Sequence, residues 1–210
     1  MNIYYQTGSF DNIYGVCIIG FLGLFLAYFY TAEPLKFSSR KGLGELTIFL
    51  TFGPLLTLGA LFAISSNTVE LFSPEFYKAI YIGIPFGFLT TNILYINQFP
   101  DTNSDAKTGK NHLIVTFGKK NARWGYLLIL IAAFASSFAL IQTISNDLSF
   151  FNEYFFIAGN VILFIYGLSA FFNLFKNYDK RELVYSNLKT IYLQIFYGLF
   201  IVLTLNLFFI

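Results

Sequence analysis

Charge is what this chain has least of. Aspartate, glutamate, lysine and arginine make up 11% of its 210 residues, and 56% are hydrophobic, whereas soluble domains carry about 25% charge. A shortage of that size excludes a water-soluble globular fold and implies an integral membrane protein. Cysteine is equally scarce. The single Cys17 lies inside an apolar run, so no intrachain disulfide and no paired-cysteine metal site can form, and it reads as packing. The net charge is only +2, which argues against nucleic acid as a partner. No basic leader with a short apolar core and a small-residue cleavage site opens the chain, so the first apolar stretch is expected to stay as a span.

What is present in abundance is apolar sequence long enough to cross lipid, for which about 20 residues are needed at 1.5 Å each. Six stretches qualify: Ile13–Thr31, Leu46–Ser65, Tyr77–Gln98, Trp124–Ile144, Tyr154–Phe175 and Leu188–Ile210. They predict an all-α polytopic bundle in a lipid bilayer, because unpaired backbone groups are not tolerated in hydrocarbon. Twelve of the thirteen lysines and arginines fall in alternate loops, from Lys36 to Lys41, Lys107 to Arg123 and Lys176 to Lys189, leaving Lys78 opposite. The positive-inside bias makes that face cytoplasmic and puts both ends of the chain outside. An external start with a short uncharged tail is unusual for six spans and implies further sequence before Met1. Trp124 and the tyrosines at span ends read as interfacial anchors.

One polar segment interrupts this pattern: YINQFPDTNSDAKTGKNHLIVTFG, Tyr95 to Gly118. Asn97, Asp101 and Asp105 recur every fourth residue, so on a helix they form one stripe that drifts only about 40° per step. Pro100 predicts a kink or a restart just before Asp101. Two clustered carboxylates repel unless a cation lies between them. Mg²⁺ suits the pair, because it takes one or two carboxylates together with phosphate oxygens and water. Gly109 permits a tight turn, and Lys110 after it offers a point charge to phosphate. The bland alternative is that these charges solvate a loop and enforce topology.

The stretch NILYINQFPDTNSDAKTGKNHLIVTFG resembles the second aspartate-rich motif of the UbiA superfamily of membrane prenyltransferases, in particular its 1,4-dihydroxy-2-naphthoate branch. Asn92, Asn97, Asp101, Asp105, Gly109 and Lys110 fall on the motif positions. The segment YTAEPLKFSSRKGLGELTIFLTFGPLLTLG is similar to the same branch's Tyr-Thr-x-x-Pro and Gly-Leu-Gly-Glu region, and the resemblance runs from Ile13 to the C-terminus. It implies a nine-helix bundle around a central cavity and Mg²⁺-dependent transfer of a polyprenyl group from its diphosphate to an aromatic acceptor, in menaquinone synthesis. The inner membrane, with the site loops facing the cytoplasm, is the implied location. Carried over residue by residue, Asp101 and Asp105 are the expected metal ligands. Lys36, Lys110 and Tyr30 are the expected catalytic residues, and Asn97, Asn92, Arg40 and Lys41 the expected substrate-binding ones. Glu45 also matches a position near the cavity rim. His112 and Asn111 stand where many relatives carry a basic residue and threonine or asparagine, respectively, and His112 is read as a local loop residue.

The family's first aspartate-rich motif has no counterpart in the sequence; Asp11 is the sole early carboxylate and stands alone. Six spans with an external start are what remains when three helices are taken from a nine-span protein. The expectation is therefore a single prenyltransferase-like domain over 1–210, incomplete at its N-terminus, completed by a separate N-terminal fragment or inactive by itself. A non-catalytic subunit or a decayed copy is the main alternative. A transporter is the other, although no inverted repeat of the aspartate loop supports it.

Overall fold

The computed structural model describes residues 11–144 and 150–208. The Asp11 side chain and the 209–210 end of the sixth expected span lie outside the described residues. The elements are α1 (Asp11–Thr31), a 3-10 turn at Phe37–Ser39, α2 (Leu43–Phe52), α3 (Pro54–Ile64), α4 (Pro74–Lys107), α5 (Leu113–Phe117), α6 (Lys119–Ile144), α7 (Phe150–Asn177) and α8 (Leu183–Phe208). No strand occurs among the described residues. Six helical stretches are long and apolar enough to cross a membrane, with α2 and α3 together forming one of them. The all-α polytopic bundle expected from hydropathy is the observed architecture, with boundaries shifted by several residues.

α4 is the hub. It packs against α2, α3, α6 and α8, while α7 joins α6 to α8 and α1 lies on α3. Its start is written locally. The Ser73 side chain accepts from the Phe76 amide (3.3 Å), Pro74 occupies the first turn, and Glu75 faces the positive end of the helix dipole. Its close contact with α2 and α3 depends on missing side chains. A Cβ on Gly53, where α2 gives way to α3, would meet the Gly83 carbonyl at 2.7 Å and the Gly87 Cα at 2.8 Å. Gly83 and Gly87 are four residues apart on one face of α4, the small-residue spacing that lets membrane helices approach closely.

The restart expected at Pro100 does not occur, because α4 continues through it to Lys107. A proline removes one helical hydrogen bond, but neighbouring hydroxyls bind the backbone here. Thr102 Oγ1 donates to the Gln98 and Phe99 carbonyls (both 2.9 Å), and Ser104 Oγ to that of Asp101 (2.8 Å). At 34 residues, α4 is about 51 Å long, well beyond a hydrocarbon core of about 30 Å. Its last turns, which carry both aspartates, therefore extend past the lipid interior.

Between α4, α6, α7 and α8 lies a core of Tyr95, Phe99, Tyr126, Leu130, Leu174 and Tyr197. Since lipid is as apolar as leucine, hydrophobicity alone does not hold such helices together, and interhelical hydrogen bonds add to packing. Tyr126 and Thr190 pair at 2.8 Å, Ser137 Oγ donates to Asn160 Oδ1 at 2.6 Å, and Tyr197 Oη donates to Ser137 Oγ at 2.8 Å.

Candidate active site

The two polar segments singled out in the sequence meet at one end of the bundle. The Asn111 amide donates to the Ser39 carbonyl (2.8 Å), and Lys41 Nζ lies 4.7 Å from the Phe117 ring centre. Between them opens a cleft of about 390 Å³. Tyr30, Lys36, Asn97, Asp101, Asp105 and Lys110, six of the expected site residues, line it. So do Ser38, Leu94, Gln98 and His112, none of which was expected there.

The end of α4 explains the Asp-to-Gly-Lys spacing. Gly109, at φ +78°, takes the left-handed conformation that closes a helix with little steric cost. Its amide donates to the Ala106 carbonyl (3.3 Å), and the Lys110 amide folds back to the Asp105 carbonyl (3.0 Å). This paired arrangement is the Schellman turn. The turn returns the Lys110 side chain to the helix it has just left, where Nζ lies 2.7 Å from Asp105 Oδ1. His112, 2% exposed, approaches the other oxygen, with Nε2 at 3.2 Å from Asp105 Oδ2. Its Nδ1 is buried without a partner.

Asp105 is thus held on both oxygens and is only 14% exposed. Asp101, one turn earlier and exposed, has no ion pair or side-chain hydrogen bond among the described residues. Both carboxylates sit at the negative end of the α4 dipole, an arrangement that concentrates negative potential and calls for cations. Lys107 lies in the last turn of α4, and Lys110 and Lys36 line the cleft. Lys36 has φ +41° and pairs with Glu33 at 3.3 Å; a left-handed backbone is uncommon for a side chain of this size.

Three expected site residues lie elsewhere. Arg40 Nη2 donates to the Pro34 carbonyl (2.7 Å), closing its own loop, and Lys41 covers Phe117. Asn92 is fully buried in the core, where Nδ2 donates to the Tyr126 carbonyl at 3.3 Å. Asn97 does line the cleft, and its Oδ1 accepts from Asn187 of α8 at 2.7 Å, which ties the cleft wall to the last helix. Glu45, matched by position only, is 5% exposed, and neither carboxylate oxygen has a partner. The His112 contact was missed because its reach to Asp105 depends on the turn at Gly109; the one signal in the sequence was the chain's sole histidine standing beside the aspartates.

Among the described residues no three His, Cys, Asp or Glu side chains form a preassembled metal cage. The oxygen donors do fit a hard divalent ion that keeps water and shares phosphate oxygens. Asp101 and Asp105 supply charge, and the Gln98 Oε1 atom, buried without a partner, belongs to a side chain lining the same cleft.

Fold and cleft define a multi-pass membrane protein with carboxylates and ammonium groups gathered at one end of a helix bundle. The chain belongs to the UbiA prenyltransferase family, which matches residues 14–186. It is 28% identical over 194 residues to the UbiA prenyltransferase domain-containing protein 1 of Dictyostelium discoideum, covering 90% of this chain and 52% of that relative. It is 29% identical over 119 residues to the 1,4-dihydroxy-2-naphthoate octaprenyltransferase of Escherichia coli (strain K12), covering 57% and 36% of the two. Over 100 residues it is 32% identical to the 2-carboxy-1,4-naphthoquinone phytyltransferase of Synechocystis, covering 47% of this chain and 30% of that protein. The chain therefore spans about half the length, or less, of these relatives. No solved structure gives a significant match.

Proposed function

We propose that this chain forms the diphosphate-binding side of a membrane prenyltransferase that joins a polyprenyl group to an aromatic acceptor, 1,4-dihydroxy-2-naphthoate being the acceptor favoured by its relatives' names. The observation that carries this reading is the cleft itself, with Asp101, Asp105, Lys36 and Lys110 around one space at the lysine-rich end. That end faces the cytoplasm of the inner membrane on the positive-inside bias, so the prenyl tail stays in lipid while its charged head meets the loops.

In this reading Asp101 and Asp105 attract Mg²⁺. Held there, the ion would supply positive charge to the diphosphate leaving group. Lys110 and Lys36 hold phosphate oxygens from opposite walls of the cleft, stabilising the negative charge that grows as the allylic carbon–oxygen bond lengthens. Tyr30 and Leu94 line the same cleft and restrict where an aromatic ring can lie, which aligns it for attack.

The test is binding of a short prenyl diphosphate to the 210-residue chain in lipid nanodiscs, with and without Mg²⁺. Expected is metal-dependent binding that disappears in the Asp101→Ala, Asp105→Ala double variant while insertion is unchanged. Binding that needs neither metal nor aspartates would overturn the proposal. A purely structural subunit would show no binding at all.

A further inference from the structure

A second polar hollow opens at the lysine-rich end of the bundle, off a different face of α4 from the cleft. About 420 Å³ in volume, it lies between α4 at Pro100, the first residue of α6, the α7–α8 loop and the first turns of α8, and no described residue lines both spaces. Lys119, Lys180 and Arg181 supply its positive charge, and Asp179 is the carboxylate beside them. We propose that this hollow, independently of any prenyl transfer, holds the phosphate of an anionic phospholipid whose acyl chains run down the outer face of α8.

The charge there is available and held in place. Lys119 Nζ pairs with Asp179 Oδ1 at 2.7 Å, so the carboxylate of the hollow is already neutralised. Lys180 and Arg181 are exposed and have no ion pair or side-chain hydrogen bond among the described residues. Their loop is pinned at several points. The Lys180 amide donates to the Asn177 carbonyl (3.0 Å), the Leu183 amide to that of Lys180 (3.2 Å), and Asn173 Nδ2 to that of Glu182 (3.2 Å). Arg123 lies over the Phe175 and Tyr178 rings, 3.9 and 4.7 Å from their centres. A loop fixed in this way loses little further freedom when an anion binds.

The surface below the hollow says what kind of anion fits. Val184, Leu188, Ile191 and Ile195 recur at helical spacing along one face of α8, and all four are exposed. Val184 also lines the hollow, and the apolar span of α8 begins at Leu183. The stripe therefore starts at the rim of the hollow and descends into hydrocarbon. A free phosphate would use the cations and leave the stripe idle, whereas a phospholipid uses both. Basic side chains at the end of a span attract anionic headgroups, and a guanidinium offers phosphate a planar pair of donors. Asn187 completes the wall. Its Nδ2 donates to Asn97, and its Oδ1 is buried without a partner. A glycerol hydroxyl of a phosphatidylglycerol headgroup is a donor of the kind that oxygen lacks.

The experiment uses the 210-residue chain in detergent with equimolar phosphatidylglycerol and phosphatidylcholine of the same acyl chains, and native mass spectrometry counts the lipids each molecule retains. The first lipid retained is expected to be phosphatidylglycerol, preferred roughly tenfold, the scale of two basic side chains beside an anionic headgroup after screening. Lys180→Gln combined with Arg181→Gln should abolish most of that preference. Lys120→Gln combined with Lys176→Gln removes the same charge from exposed positions at the same end that do not line the hollow, and should leave it nearly unchanged. Excess inorganic diphosphate should not displace the lipid, because it has no chain to lay on α8. Equal losses in the two double variants would reduce the preference to the general charge of that end and overturn the proposal. So would a parent chain without any preference. Full displacement by inorganic diphosphate would make the hollow a site for free phosphates and overturn the lipid assignment. All of these outcomes leave the reading of the aspartate cleft standing.

Discussion

α1 and α4 are both long apolar helices, and the more apolar of the two is the less buried. The α1 span has mean hydropathy 2.0 and α4 1.5, yet half of the α4 span is buried, whereas α1 exposes Ile18, Phe21, Leu24 and Tyr28 along its length. In water that order would be reversed. In lipid an exposed leucine costs nothing, so helices associate where backbones can approach and where polar side chains need partners. α4 has both features: Gly83 and Gly87 against the α2–α3 break, and Thr90, Asn92 and Asn97 bonded to α6 and α8. Its cleft residues inherit that rigidity.

The sharpest way to break the contrast is at the glycine crossing. Gly53→Val would drive carbon into the Gly83 and Phe49 carbonyls and the Gly87 Cα, all of them backbone, and backbone cannot swing aside. A loss above about 4 kcal/mol is expected, read as failure to recover a folded, monodisperse protein from membranes. Smaller, but still within the core, is Asn160→Ala. It strips the Ser137 hydroxyl of its acceptor and loosens the chain that ends at Tyr197, at a cost of about 1 kcal/mol, typical of interhelical hydrogen bonds in membranes. Unfolding by SDS in mixed micelles measures it.

Gly109→Ala tests the turn separately from the packing. No atom lies within 4 Å of the added methyl, so the cost comes only from φ +78° and amounts to about 1 kcal/mol. The variant should melt slightly lower and bind inorganic diphosphate more weakly, because Lys110 is presented by that turn. Unchanged binding would detach Lys110 from the role given to it. The smallest effect belongs to α1. Gly23→Ala meets open space, and its stability should stay within about 0.5 kcal/mol of the parent chain. A larger loss would mean that α1 has a partner on that face.

The cleft was legible in part. Asp101, Asp105 and Lys110 could be picked out because polar residues in so apolar a chain are conspicuous, and because their fourfold spacing survives on a helix that continues past Pro100. Arg40 and Lys41 were equally conspicuous, but loop conformation turned them to the Pro34 carbonyl and the Phe117 ring. Gln98 and Ser38 were overlooked because nothing in their chemistry distinguishes them from ordinary polar residues until the cleft wall is assembled. Asn92 matched a family position and lies in the core, where its amide serves α6 instead of the cleft.

Sequence by itself determined the membrane location, the six spans and the crowding of lysines at one end, since each depends only on local composition summed along the chain. Tertiary structure decided which of those charges meet. The partnership of Asp105 with Lys110 and His112 needed the left-handed turn at Gly109, and the cleft needed Asn111 to find Ser39 across 72 residues of sequence. Such contacts depend on where separate helices end in space, which hydropathy does not encode.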